Sequence, residues 1–316
     1  MLLPLTGMFL WMLSLQTPAQ TAPAPTTSET PTLRQVSEMG TKHGVLALGQ
    51  DTFLINGEGQ TLWTYPLSTR DGWMLPNGNL LLAVTKCDQY PGGAAIEITQ
   101  AGKVLFEYKG TQSEVNTVQA LPNGHILLTE AGPKPRLMEV DKNGKIMLEF
   151  PIQCQTNDFH LQTRMSRRLP NGHYLIPQLL DKVVREYTKE GKIVWEVKTP
   201  DWPFTAIRLN NGHTLIDCTH GDMVIEVDKE GKTVWQVTNA DLPGGPIHDA
   251  CGAQRLANGN TVITSYGAGG AGDIKLLEIT PDKKIVWKLY TGKTHGVHEF
   301  QIVDLEGHPL KERNMR

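Results

Sequence analysis

A ring of six four-stranded antiparallel blades, an all-β propeller, is the fold this sequence predicts, and three observations predict it. A Leu-x-Asn-Gly motif recurs as "LPNG" at Leu75, Leu121 and Leu169, "LNNG" at Leu209 and "LANG" at Leu256, at intervals of 46, 48, 40 and 47 residues. Each copy precedes an apolar run such as "NLLLAV", "HILLTE", "HTLIDC" or "NTVITS", then a segment like "MEVDKNGKIML", "IEVDKEGKTVW" or "LEITPDKKIVW". The two chain ends carry partial units that complete one another. A strand-rich repeat with a period in the forties has the size of a propeller blade.

The elements follow in chain order. "MLLPLTGMFLWMLSLQ" is apolar, too short to span a bilayer comfortably, and is followed by small residues at Thr17 and Ala19, so residues 1–20 read as an export signal. That places the mature protein in the periplasm or outside the cell, with no membrane span after cleavage. "TAPAPTTSETPT" has little to bury, so residues 21–36 read as a flexible linker and residues 37–316 as the propeller. In the 316-residue chain, 31 Gly, 20 Pro and 39% hydrophobic content suit a turn-rich β protein. A net charge of -3 gives no electrostatic basis for nucleic-acid binding.

Within each unit, Asn-Gly closes one hairpin and the later Asn-Gly, Glu-Gly or Ala-Gly before Lys closes another. The runs between them are four to six residues long, β-branched and partly alternating, as strands are. "DTFLINGEGQTLW" (Asp51–Trp63) matches the second half of a unit, and "HEFQIVDLEGHPL" (His298–Leu310) the first half. Pairing these half-blades closes the ring and removes exposed edges. Five whole units and one composite make six blades; seven is the alternative count. An aromatic residue closes nearly every unit (Trp63, Phe106, Trp195, Trp235, Trp287), with Leu148 the exception. Recurrence at one register points to packing between blades.

"VDKEGKTVWQV" and "EYTKEGKIVWEV" resemble the repeat of pyrroloquinoline-quinone-type propellers, and "LPNGH-x-LI" is similar to the repeat of arylsulfotransferase-like propellers. The resemblance covers the chain after about residue 42. It implies the propeller fold, and from the sulfotransferase side a nucleophilic histidine near the central axis.

The histidines after turn glycines, His125, His173, His213 and His308, are expected to be solvated. The opposite face gathers residues just before the first strands: Arg70, Asp71, Trp73, Glu114, Asn116, His160, Gln162, Arg164, Trp202, Phe204, His248, Asp249, His298 and Glu299. It also gathers Lys86, Glu130, Gln178, His220 and Tyr266, where second strands end. Such convergence describes a ligand funnel. Arg70, Arg164 and Lys86 suit a carboxylate or sulfate. The aromatic side chains suit a sugar or an aromatic ring, and His248 or His298 a base or nucleophile.

Cys218, His220, His248 and Cys251 have the donor chemistry for a soft metal ion, although Cys-x-His is a poor spacing. No cofactor is favoured; a Cys218–Cys251 disulfide is a further option, and unbridged thiols are preferred. Cys87 and Cys154 carry no motif, and no Ser-His-Asp order, phosphate loop or HExxH pattern is present. The expected function is binding of a small anionic molecule, a glycan or an envelope protein. The alternative is an enzyme in the same funnel, of arylsulfotransferase-like or lyase type, using His248 or His298 with Arg164.

Overall fold

Each Leu-x-Asn-Gly motif is a hairpin with one physical design. In the first, the Gly78 amide donates to the Leu75 carbonyl, and the Leu75 amide to the Asn79 carbonyl. Gly78 adopts φ +80°, the left-handed position that lets a three-residue loop join two strands. The asparagine before it is not left-handed; its side chain accepts from the amide two residues on, as Asn77 does from Asn79 and Asn171 from His173. Asn is therefore chosen as an Asx turn-former, and Gly supplies the positive φ.

The computed structural model describes residues 33–310 and 316. The expected export segment and residues 21–32 of the linker lie outside them. The strands form six antiparallel sheets in a ring. Blade 1 comprises Thr69–Met74, Leu80–Val84, Ala94–Ile98 and Val104–Lys109; blade 2, Glu114–Ala120, Ile126–Ala131, Arg136–Val140 and Ile146–Pro151; blade 3, Arg167–Arg168, Tyr174–Gln178, Val183–Tyr187 and Ile193–Lys198. Blade 4 comprises Pro203–Arg208, Thr214–Cys218, Met223–Val227 and Thr233–Thr238; blade 5, Ala253–Arg255, Thr261–Thr264, Leu276–Ile279 and Ile285–Tyr290. Blade 6 is the composite, Val297–Val303 followed in space by Gly44–Gly49, Thr52–Ile55 and Thr61–Tyr65.

The ring thus closes through both chain ends, with one strand from the C-terminal side and three from the N-terminal side. The extra strand is Gly44–Gly49, which pairs with Val297–Val303 from Val45↔Ile302 to Leu48↔Glu299. A second difference concerns the linker: Arg34–Val36 is a fifth, outer strand on blade 5, with Arg34 opposite Tyr290 and its guanidinium 4.0 Å over that ring. Its polar, alternating "RQV" carries too little apolar signal to be separated from the Pro/Thr-rich stretch before it.

The core is divided like the ring. Six apolar clusters each draw on two adjacent blades, for example Leu81, Phe106, Val118 and Met138 between blades 1 and 2. The closing tryptophans staple these interfaces. Trp195 Nε1 donates to the Lys229 carbonyl of blade 4 at 2.7 Å, and Trp235 Nε1 to the Pro281 carbonyl of blade 5 at 3.0 Å. Arg208 and Arg255 stack over the two rings.

The turn histidines are not simply solvated. His125, His173 and His213 are half-buried and bond Glu139, Glu186 and Glu226 on the third strands at 2.7–3.2 Å. These glutamates also hold Arg168, Arg208 and Arg255 of the following blades. The histidines therefore belong to an inter-blade lattice; only His308, near Asp304 and Glu306, stays exposed.

Candidate functional site

At the ends of the innermost strands remote from the Asn-Gly turns, all six blades contribute to a funnel of about 590 Å³, well within the size of small-molecule sites. Each innermost strand starts at its rim, so the residue just before or at that start aims its side chain inward.

The floor is cationic. Arg70 lies 3.7 Å from Glu114, which is also 3.7 Å from Lys86 and bonded by His160 Nδ1 at 2.8 Å. Burial pushes the Glu114 carboxyl up, but the His160 hydrogen bond and the Arg70 and Arg164 charges prevail and hold it below the usual range. Arg164 is 1% exposed. It donates to the Thr163 carbonyl at 2.7 Å and sits 5.4 Å over the Phe204 ring. No carboxylate among the described residues lies within 4 Å of Arg164, and Nε of both Arg70 and Arg164 is buried without a partner.. Burial, with Arg70 adding, pushes the Arg164 guanidinium down to about 9.

The wall is aromatic. His298 stacks on Tyr266 with centroids 4.1 Å apart and on Phe204 at 5.8 Å, nearly parallel. Its Nδ1 is buried and has no partner. Desolvation, then Arg70 and Arg164, drive its pKa well below 6.5. The imidazole is therefore neutral at neutral pH. Below about 6.5 the unfolded chain takes up this proton more readily than the native state. The associated stability is thus complete above that pH and lost as pH falls through the depressed native value. In histidine-resolved NMR titrations, His298 should stay neutral as pH falls below the ordinary imidazole value of about 6.5, and Arg70→Gln should move its midpoint upward. A midpoint at or above about 6.5 would show that the field is absent.

At the rim His220 Nδ1 meets Asp249 Oδ1 at 2.6 Å, while the imidazole packs 4.3 Å from the Trp202 ring. Asp249 adopts φ +50°, an uncommon state for a non-glycine residue. Its amide donates to Asp222 at 2.7 Å, which holds this turn in place.

Of the residues expected in the funnel, Arg70, Lys86, Glu114, His160, Arg164, Trp202, Phe204, His220, Asp249, Tyr266 and His298 line it, together with Cys251. The others do not. Asp71 and Trp73 lie deeper in the channel: Asp71 accepts both Arg167 Nη atoms, and the Trp73 indole donates to the Val118 carbonyl. Glu299 is also buried in the channel, bonded by Thr205. Asn116 donates to the Thr163 carbonyl. Gln162 bonds Gly132, Glu130 bonds Arg136 and Thr111, and Gln178 bonds the Gln153 carbonyl. For Asp71 and Glu299 the preceding strand residue, Arg70 or His298, takes the funnel-facing position, because successive side chains of a strand alternate. His248 is exposed and outside the funnel; Asp249, the next residue, partners His220.

Cys218, His220, His248 and Cys251 do not converge: no group of three metal-ligating side chains is found among the described residues, and all four cysteines are free thiols. Sequence reasoning missed Gln50, Ser68, Thr69, Thr85, Leu161, Leu179 and Thr219 of the lining. Gln50 had a signal, since it follows Gly44–Gly49, the second strand of the composite blade. The uncharged others had none.

No family model matches the chain, and no curated protein sequence matches it. Solved structures do. A Bacteroides caccae protein of unknown function is 22% identical, covering 83% of this chain and 99% of its own, with TM-score 0.73. A catalytically inactive histidine-to-alanine variant of virginiamycin B lyase from Staphylococcus aureus, with quinupristin, is 16% identical over 86% and 96% of the two chains, TM-score 0.55. A streptogramin B lyase is 13% identical over 84% and 89%, TM-score 0.56. At these identities the likeness is one of fold, and the fold is the propeller.

Proposed function

We propose that the funnel binds a small organic anion, with its carboxylate or sulfate on Arg70 and Arg164 and its apolar part against Trp202, Phe204 and Tyr266. One observation carries this reading: Arg164 is buried with no carboxylate within 4 Å, and Glu114 acts on it only at longer range. An uncompensated buried cation is costly, and a ligand anion reaching the paired guanidinium groups relieves that cost with charge-assisted hydrogen bonds. The export segment expected at residues 1–20 would place this binding in the periplasm or outside the cell. Calorimetry with a panel of aryl carboxylates and aryl sulfates tests the idea against their neutral esters and amides. Acids should bind and the neutral analogues should not; equal affinities would sink the assignment.

A second reading, catalysis, is favoured by His298. Its neutral imidazole keeps a free lone pair, and anion binding would offset the arginine charges that depress its pKa. The bound ligand would thereby raise the basicity of the group beside it, which suits proton abstraction in a lyase reaction. A neutral histidine near the axis equally suits the nucleophile implied by the sulfotransferase resemblance. The propeller neighbour whose histidine-to-alanine variant is catalytically inactive supports looking for such a role. Under this reading His298→Ala abolishes turnover while anion affinity changes little. Retained turnover removes His298 from the chemistry.

A further inference from the structure

The repeat itself reveals a second site, at the one interface where the closing aromatic residue is missing. In blades 3 and 4 the residue opposite the third-strand glutamate is a tryptophan: Glu186↔Trp195 and Glu226↔Trp235. Its indole N–H reaches a turn carbonyl of the next blade, and that blade's arginine covers the ring while gripping the glutamate. Blade 2 has the same frame, Glu139↔Leu148, with Arg168 of blade 3 at 3.2 Å from Glu139. The ring is replaced by a leucine side chain.

What remains is a notch of about 370 Å³ between blades 2 and 3, lined by Leu148, Glu139, Arg168, Tyr174, His173 and Lys189, with Lys189 the counterpart of Lys229 and Pro281. It lies on the face of the Asn-Gly turns, opposite the funnel. A cation with no aromatic partner, an apolar floor and a turn backbone set as in the filled copies are the elements that hold an indole elsewhere in this chain.

We propose that this notch binds an indole ring, supplied by a free aromatic molecule or by a tryptophan side chain, in the place that Trp195 and Trp235 occupy at the neighbouring interfaces. The ring would lie against Leu148, beneath the Arg168 guanidinium, with its N–H toward the Lys189 turn. Indole, N-acetyl-tryptophanamide and a Gly-Trp-Gly peptide are the probes, followed by saturation-transfer NMR and by crystal soaking. Wild type should bind all three saturably, with density in the notch. Tighter binding of the peptide assigns the ring to a partner's side chain, and equal or weaker binding to a free molecule. Leu148→Trp, whose own indole fills the space, should weaken binding about tenfold or more and raise the melting temperature. Arg168→Ala leaves the cavity open and should weaken binding while sparing anion binding in the funnel. Undiminished binding in either variant overturns the proposal, as does N-acetyl-leucinamide binding as well as the tryptophan amide.

Discussion

Arg164→Gln is expected to weaken binding of an aryl carboxylate or sulfate by roughly 30- to 700-fold, equivalent to about 2–4 kcal/mol, the range found on truncating a buried charge partner. The size follows from burial. Arg164 is fully enclosed, donates to the Thr163 carbonyl and has no acid of its own, so a bound anion would be its main electrostatic partner. Lys86, whose side chain is 62% exposed, acts through water and salt, and Lys86→Ala should cost less than about 1 kcal/mol. The stability change should run the other way. Glutamine removes an uncompensated buried charge, so the free protein should melt no lower than wild type, as expected where a site is strained for function. Calorimetry beside thermal melts decides the matter. Unchanged affinity refutes the anion site, and a large fall in melting temperature would recast Arg164 as a structural residue.

The architecture was legible because it is written in backbone chemistry that repeats. Asn77, Asn123, Asn171, Asn211 and Asn258 make the same turn five times, and the strand pattern between turns leaves one arrangement that buries every apolar face. Closure was legible in outline only. Gly44–Gly49, "GVLALG", lacks an Asn-Gly turn before it because the strand it pairs with arrives from the other end of the chain. The site was legible by position, since the start of an innermost strand and the end of a second strand mark the funnel mouth. Which of two successive residues faces inward was not. Bulges between Thr69 and Asp71, and between Pro203 and Ala206, shift the register where the choice is made, and a register shift exchanges the two faces. That is why Arg70 lines the funnel and Asp71 does not. The His220–Asp249 pair was hidden for another reason: it joins two blades, and only the ring brings residues 29 apart into contact.

Beneath the funnel the channel is electrically different, and Asp71→Asn should expose that difference as a loss of about 3–5 kcal/mol, the usual cost of removing one partner of a buried ion pair. By the size scaling of melting temperatures this is roughly 5–9 °C for a domain of this length. Asp71 is 0% exposed. It takes a two-pronged contact from Arg167 at 2.8 and 3.1 Å, the Val118 amide at 3.1 Å, and Arg316 at 3.4 Å. Both guanidinium groups pack on the Trp73 ring. Asparagine keeps the shape and removes the charge, leaving two buried cations to share Glu299. Burial holds that carboxyl above its ordinary range and Asp71 adds to the effect, while Arg316 and Arg167 oppose it. Without the Asp71 charge, Glu299 ionises at lower pH and recovers part of the loss. If the penalty comes from orphaned charge, adding Arg167→Met should restore stability, so that the double variant is more stable than Asp71→Asn alone. Additive losses in urea titrations of the four proteins of this cycle would instead assign the cost to lost packing. Arg164 has no such partner within 4 Å, and the same substitution logic therefore predicts opposite signs at two levels of one channel: neutralising Asp71 strands cations that the fold had paired, whereas neutralising Arg164 removes one that the fold leaves for a ligand.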